Sequence, residues 1–128
     1  FRYRVCWQVG VKWGETFTYF LPRVGMRCRC VTEDGVRTIS SSYYNFQEDK
    51  IQFTETDEER GTCTHYTLEK VAVKRTKLTL DFYIKKNPLS EIIFRLSSKS
   101  KLENALRKSS ENLDGLAKDL KIPTAINC

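Results

Sequence analysis

Cys63-Thr64-His65 puts a thiol and the chain's one imidazole two residues apart, the spacing at which both side chains of a strand point the same way. A nucleophilic cysteine needs such a base and also a third group to orient the imidazole. No neighbouring residue supplies one, so the pair reads as strand residues and no catalytic site is expected. Four carboxylates, Glu55, Asp57, Glu58 and Glu59, are close enough in sequence to consider calcium. They lack the spacing of a calcium loop and a helix after it, and read instead as an acidic hairpin tip.

Five cysteines, Cys6, Cys28, Cys30, Cys63 and Cys128, contain no C-x-x-C pair, and with a single histidine no zinc site is expected. Neither a metal nor a cofactor is expected elsewhere. Two disulfides and one free or intermolecular thiol would fit an oxidising compartment; reduced buried thiols in a cytosolic protein are the alternative. Cys28 and Cys30 flank Arg29 on one face, too adjacent for an easy mutual bridge, so each is expected to bond elsewhere, with Cys6 a candidate partner for one. Spacing leaves the connectivity open.

The chain has 128 residues and a net charge of +6. That is one domain's worth, large enough to bury a core, and it is read as a single domain over 1–128. No stretch approaches the roughly 20 apolar residues a membrane helix needs, so no membrane span is expected. There is no apolar core of signal-peptide type, so a secreted protein is expected here with its signal removed. Lys70, Lys74, Arg75 and Lys77 make a basic cluster that could steer an anionic partner, though mixed surface charge is the simpler account.

These residues need elements to hold them. Period-two alternation dominates the first three quarters of the sequence. FRYRVCWQVGVKW is apolar at every odd position, which predicts a long first strand with Phe1 to Trp13 inward and Arg2, Arg4, Cys6 and Lys12 outward. ETFTYFL, RVGMRCRCVT, VRTISSSYYNF, DKIQFTET, TCTHYTLEKVAV, TKLTLDFYIKK and SEIIFRLSS read as further strands. Asp34-Gly35 is a strong hairpin turn, and a bulge is expected near Val71. The fold class is therefore mainly β: an antiparallel up-and-down barrel or curled sheet of about eight strands. Over about 100–120 the period becomes helical, with Ser100 and Glu103 as a capping box and Leu102, Ala105, Leu106, Leu113, Leu116, Ala117 and Leu120 on one stripe. Gly115 is expected to weaken the last turns and Pro123 to end the helix.

A small barrel is either filled by its side chains or holds one small ligand. Trp7, Tyr43, Tyr44, Tyr66, Leu80 and Phe82 are the candidate ligand-binding residues, the tyrosines because a buried phenol wants a hydrogen-bond partner. Nucleic-acid binding is disfavoured: in the opening ribbon the aromatics and arginines fall on opposite faces, where an interleaved surface is needed.

The order of strands, amphipathic helix and terminal cysteine resembles that of lipocalins, members of the calycin group. The likeness lies in EIIFRLSSKSKLENAL with LAKDLKIP, similar to a last barrel strand running into the lipocalin helix, and in Gly61-Thr62-Cys63, similar to the start of a mid-barrel strand. It implies a Cys63–Cys128 disulfide and a non-enzymatic, secreted carrier of a small hydrophobic or amphipathic ligand. The alternative is a pleckstrin-homology-like or other β-rich interaction module, recognising acidic lipid heads or a protein partner through its basic surface. Oligomeric state is not legible.

Overall fold

A computed structural model describes residues 4–17, 24–85 and 88–119. Six strands, β1 (Val11–Thr16), β2 (Arg27–Thr32), β3 (Gly35–Gln47), β4 (Lys50–Asp57), β5 (Thr62–Ala72) and β6 (Arg75–Tyr83), pair antiparallel in chain order as one open sheet. Helix α1 (Arg4–Trp7) precedes them. After β6 the chain is helical from 88 to 119, as α2 (Pro88–Ile93), a wide π-turn (Phe94–Ser98) and α3 (Lys99–Asp119).

Most of the strands follow from alternation and turn chemistry. Gly35 lies at φ +122° in the β2–β3 hairpin and Gly61 at φ +63° before β5, backbone conformations that strain any L side chain. The β5–β6 register shifts between Lys70 and Ala72, the expected bulge at Val71. One face of the ladder carries three successive rows: Ser41, Glu55, Thr64 and Phe82; Tyr44, Phe53, Tyr66 and Leu80; Phe46, Ile51, Leu68 and Leu78. The Phe53 and Tyr66 rings stack at 4.5 Å between centroids. Such a pair adds about 0.5–1.5 kcal/mol beyond its buried area. The other face is polar, with Thr54, His65 and Asp81 in one row.

The described residues form an open antiparallel sheet of six strands. Four expectations are corrected. The opening ribbon is not one strand: Arg4–Trp7 is helical and β1 begins at Val11. Arg4 is consequently 7% exposed while Trp13, expected inside, is 47% exposed under the Arg29 guanidinium, 5.7 Å from its ring. SEIIFRLSS is helical, because Leu89, Ile92, Ile93 and Leu96 recur at helical spacing, which outweighs the β-branched pair. Ser100 is then no helix start: the chain arrives already helical, the Lys99 backbone N–H donates to the Phe94 carbonyl, and Glu103 faces Lys99 at 3.8 Å. The helix also runs through Gly115 to Asp119. Part of ETFTYFL, together with Leu120, Pro123 and Cys128, lies outside the described residues.

Helix α3 crosses the apolar face of the sheet and is tied at both sides. Ser109 is buried and its Oγ accepts from the Val9 N–H at 2.9 Å, while Asn112 Nδ2 donates to the Trp7 carbonyl at 3.2 Å. On the β6 side the Phe94 ring lies parallel to Phe82 at 6.1 Å. Between these ties the helix and the sheet do not close on each other.

Candidate functional site

The space left between helix and sheet is a groove of about 880 Å³. Leu68, Leu78, Leu80, Phe82 and Ile84 line it from β5, β6 and the residue after β6, facing Phe94, Leu102, Ala105 and Leu106 from the helical segment. The alternation of the two strands and the helical period of α3 turn these residues toward one another. Met26, Cys28 and Cys30 are buried, but the large apolar side chains that line the groove are only partly covered.

The charged groups gather over β2, β3 and β4. Arg4 reaches from α1 to an ion pair with Glu55, both almost fully buried. Burial works against the Arg4 charge, but Glu55 and the neighbouring groups outweigh it and hold the guanidinium protonated. Burial first, and then the Glu55 carboxylate, push the Tyr66 phenol up, so it stays a neutral hydrogen-bonding group. Nearer the turns, Asp34 takes Arg37 at 3.0 Å and Arg60 at 3.3 Å, and Asp57 accepts from the Arg60 N–H at 2.9 Å. Glu55 and Asp57 are therefore committed to cations and backbone, and do not form an acidic tip with Glu58 and Glu59. Glu58 instead takes Arg27 through its Nε at 3.0 Å.

Of the six residues singled out for a ligand, Trp7, Tyr66, Leu80 and Phe82 line the groove. Tyr43 and Tyr44 do not. The β3–β4 register shifts between Ser41 and Tyr43, so an extra residue inverts the alternation beyond it. Tyr43 lands on the outer face beside His65, ring centroids 5.8 Å apart, and Tyr44 sits in the row of Phe53 outside the groove lining. Sequence reasoning missed Arg4 and Glu55, since alternation assigned Arg4 outward. The signal available was a pair of carboxylates, Glu55 and Asp57, continuing the face that Ile51 and Phe53 make apolar.

The cysteines divide by face. Cys6 is exposed on α1, whereas Cys28 and Cys30 are buried on the groove side of β2 with sulfurs 3.8 Å apart. The Cys28 thiol hydrogen-bonds Cys30, and that bond with the Arg4 charge pushes Cys30 down to about 7, while the same bond and burial push Cys28 up. Cys63 lies on the outer face with its sulfur 3.3 Å from Thr56 Oγ1. No disulfide joins the described cysteines, and the Cys63–Cys128 pairing involves a residue outside them. Burial decides reactivity here in spite of the lowered pKa. Iodoacetamide at pH 8 is expected to label Cys6 promptly and Cys28 and Cys30 only after denaturant is added, followed by peptide mass spectrometry; equal labelling of all three in the native protein would contradict the buried pair.

His65 also lies on the outer face, its Nδ1 2.8 Å from Thr54 Oγ1, away from the groove. Lys70, Lys74, Arg75 and Lys77 are exposed around the β5–β6 turn, Lys70 facing Asp49 at 3.7 Å. Among the described residues no group of three histidines, cysteines or carboxylates is arranged to hold a metal ion, and no helix is long and apolar enough to cross a membrane.

No protein-family model, curated protein or solved structure matches this chain.

Proposed function

We propose that this protein is a non-enzymatic, secreted binding protein whose groove holds one small amphipathic molecule. The observation that carries the reading is the open space of about 880 Å³ bordered by large apolar side chains. Pockets for small molecules run to about 300–1,000 Å³ and are mostly apolar with a few placed polar groups. A ligand's apolar body would lie on Leu68, Leu78, Leu80, Phe82 and Phe94. Its polar end would face Tyr66 and the Arg4–Glu55 pair. The lipocalin resemblance supports the same class of ligand; the barrel it implies is a separate matter, since a helix laid across an open sheet encloses the space instead.

Native mass spectrometry of the purified protein tests this directly. A retained adduct of a few hundred daltons, lost on denaturation, is expected, or else uptake of one equivalent of 1-anilinonaphthalene-8-sulfonate with a fluorescence rise. A protein with neither adduct nor dye uptake would not be a carrier of this kind.

A further inference from the structure

The helical segment after β6 carries a second apolar surface that the groove does not use. Leu89, Ile92, Ile93 and Leu96 are 70%, 57%, 57% and 83% exposed. Their spacing of three and four residues aligns them as one stripe along α2 and the π-turn. Phe94, inside the same stretch, turns the other way into the groove and stacks on Phe82. Beyond the π-turn the apolar residues of the helix, Leu102 and Leu106, are those that face the sheet. The stripe is thus not a packing face of this fold's own core. A soluble surface scatters its exposed apolar residues singly; four in a row along one helix mark something that covers them.

The charge around the stripe says what covers it. From Lys85 to Lys108 the sequence has seven lysines and arginines against Glu91 and Glu103, a net +5 out of the chain's +6. Lys85, Arg95, Lys99, Lys101, Arg107 and Lys108 are all exposed. Nearly the whole positive excess of the protein therefore lies in the segment that carries its most exposed apolar stripe. An apolar face rimmed by cations is the pattern of a helix that lies in a lipid interface, with side chains in the acyl boundary and lysines at anionic headgroups. Among the described residues no helix is long and apolar enough to span a bilayer, so the segment would lie on the surface.

We propose that the stripe of Leu89, Ile92, Ile93 and Leu96 docks the protein onto anionic lipid surfaces. The inference does not depend on what the groove holds, because the four side chains point away from it.

Co-sedimentation of the full chain with phosphatidylcholine vesicles, with and without phosphatidylserine, tests it. Binding is expected only to the vesicles containing phosphatidylserine, and is expected to fall as salt is raised. Leu96→Ser and Ile92→Ser should each weaken the partition by about tenfold. Both sites are exposed, so the thermal unfolding transition should stay where it is. Val73→Ser removes an equally exposed apolar side chain at the basic β5–β6 turn and should leave the partition unchanged. Equal binding to neutral vesicles, no vesicle binding, or loss of binding on Val73→Ser would overturn the proposal. So would a lipid-free dimer in light scattering that Leu96→Ser converts to monomer, since the stripe would then be covered by a second copy.

Discussion

Glu55→Ala is expected to destabilise the protein by about 3–5 kcal/mol, the cost of stranding a buried charge when its partner is removed. Arg4 and Glu55 are each almost fully buried and belong to parts of the chain fifty-one residues apart. The alanine removes the carboxylate that does most to offset the desolvation of the guanidinium beside Tyr66 and the two buried thiols. The damage should spread, because Asn112 and Ser109 hold α3 over the sheet through Trp7 at the end of α1 and Val9 just after it. Urea titration followed by tryptophan fluorescence would show the midpoint fall, and ligand or dye uptake should fall with it. The double variant Arg4→Met/Glu55→Leu should recover most of the loss, since an apolar pair of similar volume is often neutral or better in such a site. A Glu55→Ala protein as stable as the parent would mean that this ion pair is solvated and that α1 is held by other contacts.

Ala105→Trp is expected to abolish uptake of the groove's ligand, by at least about tenfold in affinity, while changing stability little. Ala105 stands on the groove side of α3, opposite Leu80 and Phe82, where an indole would occupy the space instead of overpacking a filled core. In a close-packed interior the same substitution would cost about 1–3 kcal/mol from strain. The two readouts together separate a groove from a core. Unchanged dye titration with an unchanged melt would place the binding elsewhere on the surface, and lost binding with a collapsed melt would mean that helix and sheet are in contact at this point. Because Ala105 is remote from Leu89 to Leu96 in sequence and faces the groove, vesicle binding should survive the change.

Much of the sheet was legible from local chemistry. The strands from β2 to β6 follow the alternation, Asp34-Gly35 makes the hairpin it signals, and the bulge at Val71 is present. Helix α3 is equally plain in its leucine spacing. What failed did so for identifiable reasons. The alternation of residues 1–13 is as regular as any in the chain, yet Arg4–Trp7 winds into a helical turn. Four residues are far too few for a helix to form unaided. That turn exists because Glu55 binds Arg4 and α3 binds Trp7 and Val9. Tyr43 and Tyr44 are neighbours on one strand and must point to opposite faces, and the extra residue in β3 decides that Tyr43 is the outer one, a slip that period-two reasoning cannot see from one strand alone. SEIIFRLSS holds both periods, and the helical spacing of Leu89, Ile92, Ile93 and Leu96 prevails over its adjacent isoleucines.

The division between the two levels is physical. Strand alternation, turn residues and the helical leucine stripe depend on neighbours a few positions away, so the sequence by itself determined a meander of strands followed by a helix. The position of the helix across an open sheet, the buried Arg4–Glu55 pair and the apolar stripe left facing outward depend on contacts between residues far apart in the chain. Those contacts carry no local periodicity. They appear only when the tertiary structure decides which apolar faces meet and which are left for something else to cover.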